Sequence, residues 1–251
     1  MAQRSSELFT ADSHLRGGPL KYIFYDLETT SFRPCGILQI CMMSIEVNEA
    51  TMEVGNPDAL ISFINPGPDF EISRNVPHNI TLDDVRDAPT FEDIRERLTE
   101  FIEGGTLIGY NNLRFDDEVL NDWLEGSLAI HIAASIDIYV ALEARMTQDR
   151  ALQEYSLFNP NSHDAGSDAE SMILLASRME GLLSEQVLLA ARVLATTFDA
   201  DVYSPPARIA DYPESPLDGG RVQFGGHVDR TMAELRELDE HLWRQLGGTD
   251  D

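Results

Sequence analysis

Apolar residues first crowd together at YIFYDL (22–27), a short aromatic-rich run that predicts a buried strand. GILQICMMSIEV (36–47) has the same character, and a third strand is expected at 59–64 after a turn at 48–50. NPGPDF (65–70) reads as loop from its Pro and Gly. The pattern then changes period. In 91–105 Phe91, Ile94, Leu98, Phe101 and Ile102 share one helical face, Thr90 can cap the start, and Gly104 and Gly105 stop it. TLIGY (106–110) returns to strand, and RFDDEVLNDWL (114–124) begins a helix. Further helices are expected at 151–158, 167–180 and 184–198, with loop at 159–166. Three strands, then helix, strand and more helices, predict an α/β fold: a mixed sheet flanked by helices.

The ends read differently. Residues 1–19 are polar and close on Gly17, Gly18 and Pro19, which predicts a flexible arm before a domain at 20–198. Residues 199–220 hold four prolines and four aspartates without apolar period, as a linker would. A small C-terminal module or helical tail is expected at 221–251. No apolar run approaches the roughly 20 residues that span a bilayer, so no membrane contact is expected. The first residues lack the apolar core of a signal peptide, which predicts a cytoplasmic protein. Cys35 and Cys41 are expected to act as small hydrophobes.

Three polar groups interrupt this pattern. Asp26 and Glu28 stand two apart on the first strand, so their side chains share a face. Two carboxylates there either straddle a cation or sit in solvent past the strand end. Asp116 opens a helix after an Asn-rich turn, where the helix N-terminus favours a carboxylate. Asp116 and Asp117 could equally be ordinary first-turn acids. His163 lies in a polar loop five residues before Asp168, which sits on the following helix.

Taken together and in order, the three segments resemble the three exonuclease motifs of the DEDD superfamily. DLETT matches Asp-x-Glu-Thr; GYNNLRFDDEV matches the second motif, in wording especially similar to bacterial exonuclease I; HDAGSD matches the third in its histidine form, His-x-Ala-x-x-Asp. The segment VPHNITLDDVRDAPTFEDI also resembles the family's connector, with Asn79 where Gly is usual, a change expected to matter little.

This resemblance implies a ribonuclease H-like fold and two divalent ions, Mg²⁺ or Mn²⁺, held by Asp26, Glu28, Asp116 and Asp168. His163 is then the general base. The backbone of Leu27 and the side chain of Thr29 would touch the terminal nucleotide, and Asn111, Asn112 and Arg114 the strand behind it. The implied activity is hydrolysis from the 3′ end of single-stranded DNA with release of nucleoside 5′-monophosphates. An exoribonuclease or oligoribonuclease, or a proofreading subunit that binds a polymerase or another replication or repair protein, would carry the same motifs. A non-catalytic binding subunit would not be expected to keep all four acids. The C-terminal segment is similar, more weakly, to the module that follows the exodeoxyribonuclease X domain. Phe224, Gly225, His227, Leu235, Leu242 and Trp243 match, while Gly226 and Arg230 stand near its two missing lysines. A plain helical tail packing Leu235, Leu238, Leu242 and Leu246 reads equally well.

Formal net charge is −26, with 44 acidic residues against 18 basic ones, of which only Lys21 is Lys. A broad basic track for nucleic acid is therefore excluded. An acidic, lysine-poor surface resembles proteins of salt-accumulating organisms. At molar salt the Debye length falls to roughly 3 Å and the self-repulsion is screened. The expected outcome is a melting temperature that climbs with KCl into the molar range, read by differential scanning fluorimetry. A flat or falling trend refutes the halophilic reading.

Overall fold

The computed structural model describes residues 18–142, 146–159 and 161–197, and the backbone of 217–218 and 221–222. Residues 1–17 of the expected arm, most of the linker, and the C-terminal residues Phe224, Gly225, Gly226, His227, Arg230, Leu235, Leu238, Leu242, Trp243 and Leu246 lie outside the described residues. From the C-terminal region only a two-residue ladder is described, β6 (Leu217–Asp218) against β7 (Arg221–Val222).

The centre is a five-stranded mixed sheet in the order β3-β2-β1-β4-β5. β1 (Leu20–Thr29), β2 (Ile37–Val47) and β3 (Asp58–Phe63) form the antiparallel meander. β4 (Thr106–Gly109) runs parallel to β1, and β5 (Ala134–Asp137) parallel to β4. β5 was not expected. Its sequence, ASID, is four residues long with Ser and Asp among them, too short and too polar to show a strand period.

Alternation along β1 explains why its run is almost unbroken: both faces are covered. Tyr22 and Phe24 belong to one core with Cys41, Met43 and Ile45 of β2, beneath α7 (Ala165–Ala176) and α8 (Glu185–Thr197). Ile23, Tyr25 and Leu27 belong to the other, beneath α2 (Phe91–Ile102) and α3 (Asp116–Trp123). Asp26 and Glu28 continue the phase of Tyr22 and Phe24. They therefore stand on the face that α7 covers. Among the described residues no helix is long and apolar enough to cross a membrane. Both cysteines are buried free thiols.

Helix ends follow local chemistry. α2 begins on a capping box in which the Thr90 hydroxyl accepts from Asp93 N–H and the Asp93 carboxylate accepts from Thr90 N–H. It stops at Ile102, short of the expected 105, because Gly104 turns to φ +67. The helix expected from 114 starts later: a 3₁₀ turn (Asn112–Arg114) precedes α3. That turn follows Asn111 at φ +60 and fits only because Gly109 has no side chain, since a Cβ there would lie 2.5 Å from the Asn112 Cβ. α6 (Gln148–Glu154) starts three residues before the expected 151, on the Thr147 cap, and gives out where Ser156 adopts φ +55. α7 starts at Ala165, capped by Asp164, inside the stretch expected as loop. The one-turn helices α1 (Leu82–Val85), α4 (Leu128–His131) and α5 (Ile138–Ala141) are too short to display a period.

Candidate metal centre

Three elements converge at the end of β1. The strand brings Asp26 and Glu28, the first turn of α3 brings Asp116, and the first turn of α7 brings Asp168. They share a cleft of about 620 Å³ with Leu27, Asn111, Arg114 and His163. Glu28 and Asp116 are buried although charged in type, each 7% exposed. Thr29 and Asn112 are not among the lining residues. Thr29 is buried and its hydroxyl donates to the Ser31 carbonyl at 3.1 Å. Asn112 is buried behind the turn, where its amide donates to Ser135 Oγ at 2.8 Å and to Asp117 at 3.2 Å.

The α7 side is held from several directions. Asp168 accepts from Asn159 Nδ2 at 2.7 Å and from the backbone N–H of His163 at 2.8 Å. That second bond requires His163 to sit at φ +70, a conformation uncommon for a residue with a side chain. It leaves the imidazole exposed at the cluster's edge, where ligand atoms of Glu28, His163 and Asp168 lie within 4.8 Å of one another. Beneath this turn Gln39 of β2, the register partner of Glu28, is 4% exposed and uses both ends of its amide. It donates to Asp164 at 2.8 Å and accepts from Ala165 N–H at 3.1 Å. A Glu at this position would set a second carboxylate against Asp164, so the amide suits the clamp.

Sequence reading missed several parts. Gln39 looks like one more polar residue in an apolar strand, beside Ser44 and Glu46, and nothing in the sequence marks it. The connector, distant in sequence, is adjacent in space. His78 is buried, accepts from Ile80 N–H on Nδ1 at 3.2 Å, and therefore donates from Nε2 to the Thr29 carbonyl at 2.8 Å. Asn79 beside it is exposed. Phe32 is 72% exposed at the cleft rim and packs edge-on against Phe115. Asp149 of α6 also lines the cleft, and nothing in the sequence marks it.

Electrostatics give the cluster its character. Burial, then the charges of Asp168, Asp116 and Glu28, push Asp26 well above the usual carboxylate range. Burial, then Asp168 and Asp116, push Glu28 up to about 9. Asp116 rises through burial, partly offset by backbone hydrogen bonds that include one with Leu27. Asp168 rises through burial, partly offset by the His163 N–H. Four crowded acids, Glu28 and Asp116 buried and Asp26 and Asp168 half-buried, that cannot ionise together need either protons or cations between them. All four offer oxygen, which suits a hard divalent ion such as Mg²⁺ or Mn²⁺.

The family model of the RNase T exonucleases matches residues 23–176, and the chain belongs to that exonuclease family. The chain is 34% identical over 109 residues to the PolC-type DNA polymerase III of Pediococcus pentosaceus, a match covering 43% of this chain and 7% of the polymerase. Among solved structures it is similar to E. coli exonuclease I in complex with a dT13 oligonucleotide, with 20% identity, TM-score 0.48 and coverage of 66% of this chain and 42% of that one. A moderately thermophilic exonuclease I from Methylocaldum szegediense gives 22% identity, TM-score 0.44 and coverage of 65% and 42%. The chain thus spans about two fifths of the exonuclease I chains it matches.

The raised acids make metal-free stability fall with pH. The folded state keeps protons where the unfolded chain has lost them, so their contribution is complete below the unfolded carboxylate range. It is lost as pH climbs from about 4.5 towards about 9, the span of the Glu28 shift. In EDTA the melting temperature should fall across this window, and Asp116→Asn should flatten the fall. Mg²⁺ should restore wild-type stability at the alkaline end. A wild-type curve that rises with pH and is no steeper than that of Asp116→Asn contradicts the assigned cluster.

Proposed function

We propose that this chain is a two-metal 3′→5′ exonuclease acting on single-stranded DNA and releasing nucleoside 5′-monophosphates. The observation that carries the reading is the closure of four acids from three elements, with His163 beside them, around one cleft. Asp26, Glu28, Asp116 and Asp168 hold the cations. When bound, two divalent ions supply the positive charge that favours ionisation of water and offsets charge on the phosphate and leaving oxygen.

The chain's own groups do the rest. His163 stands exposed at the cluster's edge, and a neutral imidazole there takes the proton of the attacking water. The His163 N–H bond to Asp168 fixes its backbone, so base and metal-holding carboxylate keep a set relation. Arg114, exposed in the same cleft, presents a guanidinium to a backbone phosphate. A 3′ end held at one point by metals and an arginine needs no long basic track, which reconciles the activity with a net charge of −26.

A second reading has its own support. Similarity to a PolC-type DNA polymerase III favours a proofreading role alongside a polymerase. An exoribonuclease shares the same acids and differs in how the 2′-hydroxyl is read. Digestion of 5′-labelled single-stranded DNA, duplex DNA and RNA with Mg²⁺ or Mn²⁺ separates these. Stepwise shortening of single-stranded DNA from the 3′ end is expected. Asp116→Ala should abolish it. His163→Ala should slow it by roughly 10²–10⁴-fold while Mn²⁺ affinity is kept. Metal binding lost in His163→Ala would make His163 a ligand, and preferred RNA shortening would move the substrate to RNA.

A further inference from the structure

The cleft does not end at Tyr110. A second cavity of about 520 Å³ opens beside it, and Tyr110, Asn111, Thr147 and Gln148 form the common wall. Tyr139 and Met146 complete its lining. The two spaces differ in chemistry. Five carboxylates line the cleft: Asp26, Glu28, Asp116, Asp149 and Asp168. Among the described residues, those lining the side groove carry two phenols, two amides, a hydroxyl and a thioether, with no formal charge. Among those described lining residues a phosphate would find neither a cation nor metal-holding acids. A flat, neutral heteroaromatic ring would find aromatic rings, a polarisable sulfur and amides for its polar edge.

The groove is also set in advance. Tyr110 and Tyr139 stand edge to face, with centroids 5.9 Å apart and planes at 77°. The Tyr110 hydroxyl donates to the Met146 carbonyl at 2.8 Å. Asp137, 4% exposed, accepts the backbone N–H of Asn111 at 2.8 Å and of Tyr139 at 2.9 Å on the same oxygen, so one carboxylate anchors both walls. Gln148 donates to the Asp168 carbonyl at 2.9 Å, which ties the groove to the turn that carries a cluster acid. Walls fixed in this way lose little freedom when a ligand enters.

The geometry points to a nucleobase subsite: the Tyr110–Tyr139 groove takes an unpaired base upstream of the terminal nucleotide. This rests on the proposed exonuclease function and deepens it. A base can stack in such a groove only when it is free of a complementary strand, so the groove selects single-stranded over duplex nucleic acid.

The test crosses protein and substrate changes. Single-stranded DNA oligonucleotides carry one abasic sugar at the first, second, third or fourth position from the 3′ end. Each is offered to wild type, Tyr139→Phe and Tyr139→Leu. In wild type an abasic sugar at one upstream position should lower kcat/KM by about 10-fold, the order expected for one lost base–aromatic stack. Tyr139→Phe should keep that penalty. Tyr139→Leu should erase it, while the penalty for an abasic terminal position remains. Should Tyr139→Leu fail to fold, Met146→Ala takes its place in the same scan, with partial loss of the upstream penalty expected.

Anisotropy of the same labelled oligonucleotides in Ca²⁺ reads binding without turnover and should show the same pattern. An active enzyme whose upstream penalties are unchanged in Tyr139→Leu overturns the subsite alone. A wild type that neither cleaves nor binds these oligonucleotides overturns the exonuclease reading and the subsite with it.

Discussion

Repulsion among buried and half-buried carboxylates is the constraint around which this molecule is arranged. Asp26 and Glu28 lie on the same face of a strand whose other residues feed two hydrophobic cores, and Asp116 and Asp168 are brought against them from separate helices. Left alone, such a group costs stability whenever it ionises, because each charge loses water and faces others of its sign. Among the described residues that line the cleft the basic side chains are His163 and Arg114, both exposed. Arg33, which could approach from the loop after β1, is committed to Glu118 and Asp122 on the outer surface of α3. Relief is left to protons or to cations.

The remaining features serve to hold that arrangement. Asn159 and the His163 N–H orient the Asp168 carboxylate, Gln39 clamps the start of α7 onto β2, and His78 braces the Thr29 carbonyl at the end of β1. Asp137 fixes the Asn111 turn that leads into Asp116 and, through the same oxygen, the backbone of Tyr139. Each group is small or buried and each bond is short-range. The backbone departs from common geometry at Asn111 and His163, the turns that feed α3 and α7 into the cluster. Uncommon backbone angles persist where the surrounding structure over-determines them, as the bonds from Asp137 and to Asp168 do here.

How much of this was legible in the sequence depends on the length scale of each signal. β1 and β2 announced themselves because both faces are buried, and α2 did so because its apolar stripe runs three turns. The acids and His163 were readable as three short motifs, since spacing along one strand or across one helix start is a local property. β5, four residues long, and the single-turn helices had no room for a period. Gln39, His78 and Asp149 act through contacts between segments far apart in the chain, 125 residues in the case of Gln39 and Asp164. No local pattern encodes such contacts. Asn112 shows the opposite error: its place in a motif drew attention to it, yet its amide faces inward to Ser135 and Asp117.

The proposed role of the carboxylate cluster is to hold divalent cations. Mn²⁺ binding followed by electron paramagnetic resonance tests it without needing a substrate. Titration of the wild-type chain at mildly alkaline pH should show two Mn²⁺ ions bound per chain, displaced by Mg²⁺, with saturable binding weakened in Asp26→Asn and in Asp168→Asn. Folded protein that leaves Mn²⁺ free at millimolar concentration, or binds it equally well in both variants, would show that the cluster is not a cation site.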